Sequence, residues 1–502
     1  MQIVLVSPKW HQMVNSYPPL GLGYLAAVLE REGHTVSIHD LGLDPKSTLE
    51  DDVRRIAAET PDLIGITAMT NNYQSAVELI EQLCETIACP IVMGGPHATL
   101  FPDQVLTQAQ VDYVVLGEGE ETLRELVQSL ANQGARPALD SLQAIRGLAF
   151  EIEDRVIQTP PRPLIRDLDA LPFPARHLFE LDRYPLFANN GERMVTLLSS
   201  RGCPFNCSYC FKGIVGRTYR QRSPGNVLAE IEHLVERYGY RHFYFVDDLF
   251  TLDQKRLTAL AEGIIAAGLD IRWQCLARVD RVNPELLKLM YRAGCREIHY
   301  GIESGVPEML DRIGKQITLE GVRQAVAWTA AAGISAKGYF MLGLPGDTEE
   351  TIERTIRFAA ELELDQAMFS ITTPFPGTRL WEELIAQKPE TAFGQDFAAA
   401  YYYTTNCEEL STPFLNVSEV PDDRLAELVV EARKRFDEAK RRRKYAAKLG
   451  PGFGNMLYDL SNIPIVRRIG HRILRSPLLQ RWSALRGFAD YDWRREFAEK
   501  WD

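Results

Sequence analysis

The sequence predicts an α/β protein built from a Rossmann-like N-terminal domain, a partial (β/α)6 TIM-like barrel and a helical C-terminal region. Three observations predict it. Short apolar runs alternate with helix-periodic segments between residues 2 and 129, as a parallel sheet covered on both faces requires. Strands recur six times, with helices between them, from 195 to 372, which gives a barrel or an open arc of parallel strands. Length and composition agree: 502 residues, 45% hydrophobic and 25% charged, suit about three globular domains without disulfide staples.

The elements follow in order. Gln2-Ile3-Val4-Leu5-Val6 is a buried strand that ends at Ser7-Pro8. A helix over 21–31 places Leu22, Leu25, Ala26 and Leu29 on one side and stops at Gly33. Then come a strand at 34–38, a helix near 49–58, a strand at 63–67, a helix at 73–86, strands at 91–93 and 113–116, and a helix at 121–129. Ligands sit at the carboxyl strand ends of such sheets. Those ends are Ser7-Pro8, Thr67-Ala68-Met69-Thr70, Gly94-Gly95-Pro96-His97 and Gly117-Glu118-Gly119-Glu120. Ordinary turn chemistry uses the same residue types.

Prolines punctuate 136–192, which reads as a linker with a short hairpin near 147–157. Barrel strands are expected at 195–200, 242–246, 273–278, 297–301, 336–342 and 367–372. Helices are expected at 227–238, 255–267, 284–293, 319–332 and 349–361. Beyond 400 the alternation is lost. Residues 422–449 read as a long charged helix, and 463–485 mix apolar residues with Arg467, Arg468, Arg472 and Arg475. The expected bounds are 1–135, 136–192, 193–400 and 401–502.

No uncharged apolar stretch reaches the roughly 18 residues that read as a membrane span. The N-terminus lacks a basic n-region, so the expected place is the cytoplasm. The net charge of -12 is uneven: residues 433–486 hold fifteen Lys/Arg against Asp437, Glu438 and Asp459, so that segment is +12 and the remainder -24. The basic segment suits an anionic partner such as an inner membrane face, or a solvated helix that caps the barrel. The acidic remainder disfavours nucleic acid.

Eight cysteines in a cytosolic chain argue against a disulfide framework. Cys84, Cys89, Cys275, Cys295 and Cys407 are scattered and read as small apolar residues. Cys203, Cys207 and Cys210 form C-x3-C-x2-C just past the first barrel strand. Three thiolates on so tight a loop suit one iron–sulfur cube. Such cubes usually take four cysteines, so three leave one iron open to another ligand. Zinc is the rival reading, but no fourth Cys or His follows closely; the next histidines are His233 and His242.

This motif, with Tyr209 before the last cysteine, resembles the signature of radical S-adenosylmethionine (SAM) enzymes. The first segment resembles the cobalamin-binding domain of one branch of them, which includes methyltransferases and anaerobic cyclases. The resemblance spans about residues 1–400. It implies a [4Fe-4S] cluster on Cys203, Cys207 and Cys210, the catalytic centre. It implies SAM contacts from Tyr209, from Asp247 and Asp248 where the family often has Gly-Gly-Glu, from Arg278, from Glu303 and Ser304 in the ribose-contacting region, and from Gly343. It implies cobalamin contacts from Gly21, Thr67, Met69, Thr70, Gly94, Gly95, Pro96, His97, Gly117, Glu118 and Gly119. The D-x-H-x-x-G motif that gives many cobalamin carriers a histidine on cobalt is absent, and the branch is known for cobalt without one.

By the same resemblance, an electron from the cluster cleaves SAM, and the resulting 5′-deoxyadenosyl radical takes hydrogen from an unactivated carbon. Methylcobalamin then delivers a methyl group, and a second SAM renews it. The two domains should meet at their carboxyl strand ends with the substrate between them. The leading expectation is a carbon methyltransferase acting on a small, lipid-like or tetrapyrrole substrate. A non-methylating oxidative cyclase of the tetrapyrrole type is the alternative. A non-catalytic cobalamin-binding module comes third, because a pure binder needs no open iron. Flavodoxin or ferredoxin is the implied electron donor, and the basic C-terminus adds peripheral membrane contact.

Overall fold

In the computed structural model, which describes residues 1–10, 16–188, 190–392, 397 and 413–461, the first apolar run forms β1 (Gln2–Ser7). Four strands join it in parallel: β2 (Thr35–Asp40), β3 (Leu63–Thr67), β4 (Ile91–Gly94) and β5 (Tyr113–Val115). The sheet runs β2-β1-β3-β4-β5 and continues into an antiparallel hairpin, β6 (Leu148–Ile152) and β7 (Arg155–Gln158). The hairpin expected inside a linker is therefore the edge of the first sheet. Leu148, Ala149 and Phe150 are buried in its core, and that burial decides the pairing.

Helices α1 (Leu20–Arg31), α6 (Glu120–Gln133) and α7 (Leu139–Ala144) cover one face of this sheet. Helices α2 (Leu49–Ala57), α3 (Tyr73–Thr86), α4 (Pro96–Leu100) and α5 (Pro102–Gln108) cover the other. Along β1, Ile3 and Leu5 pack on the first face and Val4 and Val6 on the second, the two-residue period of a strand buried on both sides.

The second sheet starts at β8 (Met194–Leu197). A two-residue ribbon, β9 (Ser200–Arg201) against β10 (Arg220–Gln221), closes the base of the loop that carries the cysteine triplet. Beyond it come β11 (His242–Phe245), β12 (Arg272–Ala277), β13 (Cys295–Glu303), β14 (Ser335–Leu342) and β15 (Gln366–Ile371). All six long strands are parallel, and β8 and β15 are the two edges, so the barrel is an open arc. Helices α8 (Pro224–Tyr238), α9 (Gln254–Ala266), α10 (Pro284–Arg292), α12 (Leu319–Ala331) and α13 (Glu349–Glu361) connect them, with short α11 (Pro307–Arg312) after β13 and α14 (Arg379–Gln387) after β15. Side-chain caps start the connecting helices: Ser223, Asp253, Asn283, Thr318 and Thr348, each contributing about 1 kcal/mol.

Buried charges tie the two sheets together. Arg201 of the ribbon lies 2.8 Å from Glu118, in the loop after β5, and 2.6 Å from Glu120, the first residue of α6, and Arg220 lies 2.7 Å from Glu118. The Ile165 N–H also donates to Glu118, at 2.9 Å. All four charged side chains are buried.

The chain divides into two units, Met1–Arg433 and Lys434–Asp502. The long charged helix is α15 (Asp422–Leu449), followed by α16 (Pro451–Ser461). The 463–485 segment and Cys407 lie outside the described residues. Among the described residues, no helix is long and apolar enough to cross a membrane.

Candidate active site

The carboxyl ends of the second sheet and loops of the first open onto one cavity of about 680 Å³. Cys203, Cys207 and Cys210 border it from the ribbon-closed loop, and Met69, Thr70 and Pro96 border it from the first domain. The free Cys210 thiol donates a hydrogen bond to the Cys207 sulfur. With the cations Lys315 and Arg278 nearby, that bond pulls the Cys207 pKa down to about 6, and burial opposes it. The same bond, followed by burial, pushes Cys210 up. A depressed pKa favours thiolate, the form that binds metal. Among the described residues, no three His, Cys, Asp or Glu side chains converge on one point, as a mononuclear zinc site requires. Three separate cysteine sulfurs around an open cavity fit a cube that takes one ligand per iron.

Glu303 ends β13 with φ +70°, a backbone strain typical of functional positions. Its carboxylate accepts from Lys315 Nζ at 2.7 Å and from the Tyr209 hydroxyl at 2.9 Å. Lys315 also donates to Tyr209, at 3.1 Å. Arg278 borders the cavity with its guanidinium 3.6 Å from the centre of the Phe205 ring. It donates to the Lys315 carbonyl at 2.9 Å, so it braces the cysteine loop against the segment that holds Lys315.

Three residues expected at SAM do not border the cavity. Asp247 is fully buried and accepts from Ser199 N at 3.1 Å, from Ser199 Oγ at 2.7 Å and from Ser200 Oγ; its neighbour Asp248 borders the cavity. Ser304 is buried against Thr355, 3.1 Å away, and caps the Val306 N–H. Gly343 has φ +82°, and a Cβ there would sit 2.7 Å from Leu425 of α15. It packs a helix and does not line the cavity.

In the first domain, Met69 is 56% exposed, an unusual position for a large apolar side chain. Gly95 has φ +97°, and a Cβ would lie 2.7 Å from Thr67 Oγ1 and 2.8 Å from the Ala68 carbonyl. The two loops therefore touch through backbone, which fits a broad flat group lying over them. His97 is buried, stacked 3.8 Å from the Tyr73 ring, with Nε2 lacking a hydrogen-bond partner among the described residues. Gly21, Gly94, Gly117, Glu118 and Gly119 do not border the cavity. Gly21 has open space around its Cα, Gly117 donates to Thr99 at 3.0 Å, and Glu118 is held by its arginines.

Two expected results arise here. Gly95→Ala must accept strain of about 1–3 kcal/mol, so cobalamin binding should weaken roughly ten- to hundredfold while iron content holds. Cobalamin absorbance per chain after gel filtration checks this, and unchanged content would remove the loop from the site. Burial pushes the His97 pKa down to about 4. The unfolded imidazole gains a proton below about pH 6.5 and the folded one does not, so stability falls as pH drops from 6.5 toward 4. Urea melts at pH 7 and 5 should show wild type losing about 2 kcal/mol more than His97→Phe.

Several bordering residues were not among the expected contacts: Phe205, Tyr244, His299, Lys315 and Tyr339. His299 Nε2 lies 2.6 Å from Glu297 Oε1, and Nδ1 lies 3.1 Å from the Tyr339 hydroxyl and 3.5 Å from that of Tyr244. Glu297 also lines a second cavity, of about 230 Å³, with Arg272, Gln274 and Arg296 at the opposite end of the strands.

The B12 binding domain family matches residues 11–127, and the Radical SAM superfamily matches residues 197–359. The chain is 38% identical over 396 residues to an uncharacterized methyltransferase of Pyrococcus horikoshii, covering 77% of this chain and 83% of that one. It is 32% identical over 394 residues to an anaerobic magnesium-protoporphyrin IX monomethyl ester cyclase of Cereibacter sphaeroides, covering 76% of this chain and 64% of that one. In fold it is similar to the radical S-adenosylmethionine methyltransferase TsrM of Kitasatospora setae, solved with cobalamin and a [4Fe-4S] cluster bound. The TM-score is 0.65 at 23% identity, over 77% of this chain and 78% of that one. With both family models matched and a 38% identical relative covered over 83% of its length, the chain belongs to the cobalamin-binding branch of the radical SAM enzymes, whose cofactors are a [4Fe-4S] cluster, SAM and cobalamin.

Proposed function

We propose that the protein is a carbon methyltransferase, moving a methyl group from SAM by way of cobalamin to an unactivated carbon of a small, lipid-like or tetrapyrrole substrate. The observation that supports this best is the shared cavity, onto which Cys203, Cys207 and Cys210 open together with Met69, Thr70 and Pro96. When bound, the cluster supplies the electron that breaks SAM, and the corrin carries the methyl group.

On this reading residues 1–135 hold cobalamin, and residues 193–400 hold the cluster and SAM. Asp248, Glu303 and Arg278 face the SAM side. Lys315 holds the Glu303 carboxylate in place as a hydroxyl acceptor. Phe205, Phe211 and Leu249 exclude water. Tyr244, His299 and Tyr339 give the substrate a hydrogen-bonding floor. The Tyr339 hydroxyl at His299 Nδ1 and the Glu297 carboxylate at His299 Nε2 hold the imidazole ring in one orientation in that floor. The protein works in the cytoplasm, with flavodoxin or ferredoxin as electron donor and peripheral membrane contact through its basic C-terminus. The identity to a cyclase favours a second reading, an oxidative ring closure at the same site.

Purified without oxygen and reconstituted, the chain is expected to carry about four irons and one cobalamin. It should then move label from methyl-labelled SAM into an acceptor of an anaerobic metabolite extract. A product heavier by one methylene supports methyl transfer, and one changed only in oxidation supports the cyclase. Iron without cobalamin would remove the methyl-transfer reading.

A further inference from the structure

The second unit presents a surface that the catalytic reading does not use. Helix α16 lies directly on α15: a Cβ at Gly454 would sit 2.4 Å from the Tyr445 carbonyl oxygen, and the Tyr458 ring meets the Tyr445 ring edge-on at 5.9 Å. Arg442 reaches Asn455 and Asp459, each at 3.2 Å. These contacts fix the rotation of α16. Gly454 and Tyr458 face α15, while Phe453, Met456 and Leu460 are 55%, 50% and 41% exposed. Leu449, at the end of α15, is 45% exposed and continues the row. Four of the nine exposed large apolar side chains among the described residues thus fall within one twelve-residue stretch, where scattered single residues would need no explanation.

The charge around this row is one-sided. Residues 434–461 hold eight Lys/Arg against Asp437, Glu438 and Asp459, a net +5. Residues 434–502 together carry +9, against -21 for residues 1–433. An apolar helix row beside a basic helix is the pattern of a segment that lies in a membrane interface. Competing partners fit less well. Polynucleotide binding rests on charge and leaves the apolar row without a role, and a second copy would bring two +9 units together.

We propose that the α15–α16 hairpin docks on an anionic lipid surface, with Leu449, Phe453, Met456 and Leu460 entering the headgroup–acyl boundary and the basic row of α15 facing the phosphates. At 11 residues and about 1.5 Å per residue, α16 is too short to span and lies flat. The inference takes up the membrane contact proposed above, and its test does not depend on catalysis.

The full-length, reconstituted protein is floated with vesicles of phosphatidylcholine containing about one-third phosphatidylglycerol, and with pure phosphatidylcholine vesicles. The expected result is binding to the anionic vesicles that weakens with salt. Partitioning should fall about tenfold or more in a Phe453→Asp, Met456→Asp variant, with iron, cobalamin and thermal midpoint unchanged. Equal partitioning of variant and wild type would overturn the assignment of this row, and absence of wild-type binding would overturn the proposal itself. A wild-type dimer in sedimentation velocity that the double variant abolishes would assign the row to a second copy and likewise overturn it. Methyl transfer can fail in any of these outcomes without bearing on lipid docking, because flotation reads partitioning alone and cofactor content is assayed separately.

Discussion

Cys207→Ala is expected to leave the reconstituted protein without its cluster and to drop 5′-deoxyadenosine formation from SAM to background. Cys207 is the thiol that its surroundings favour as thiolate. Cys210 donates to it, and Lys315 and Arg278 add positive charge nearby. Removing it leaves two cysteines on the loop, too few for three irons of a cube. Iron should fall from about four per chain to background, and Cys203→Ala should behave alike. Iron and sulfide assays with chromatography of the SAM products check both. Continued 5′-deoxyadenosine formation by either variant would refute the cluster assignment.

Glu118→Ala is expected to cost about 3–5 kcal/mol of stability, the range for breaking a buried ion pair from one side. Arg201 keeps Glu120, but Arg220 loses its carboxylate partner in a buried setting. An exposed pair gives the contrast. Arg54 and Asp51 are 75% and 46% exposed, and Arg54→Ala should leave the urea midpoint nearly unchanged. Urea midpoints of the two variants measure the difference. Similar small losses in both would mean that the ionic joint between the sheets carries little of the fold.

Much of the architecture was legible because strands and helices alternate with clear stops. Each of the six expected barrel strands overlaps an observed one, from 195–200 on β8 to 367–372 on β15. The cysteine loop was legible from spacing alone. Finer placement needed the side on which each residue faces. On β13, Glu297, His299, Gly301 and Glu303 line the two cavities while Ile302, and Ser304 just past the strand, are buried away from them. At the end of β11 and just past it, Val246 and Asp248 face the cavity while Phe245 and Asp247 are buried elsewhere. The two-residue period contains this information. A parallel strand buried on both faces does not reveal by hydropathy which parity points inward, so Asp247 and Ser304 were indistinguishable from their neighbours. Glu118 was beyond local reading for another reason. Its partner Arg201 lies 83 residues away, and Gly-Glu-Gly-Glu looks the same as a ligand loop or as an anchor.

The polar parity of β13 has a consequence for the inside of the barrel. The interior of such folds is ordinarily filled by branched apolar side chains. Here hydrogen-bonding groups run along it from Tyr339 at the reaction cavity, through His299, to Glu297 at the second cavity. A molecule seated over the first cavity closes that mouth to water but leaves this row intact. The reaction cavity is thus joined to the far end of the strands by the hydrogen-bonding side chains Tyr339, His299 and Glu297, where apolar packing would otherwise separate the two.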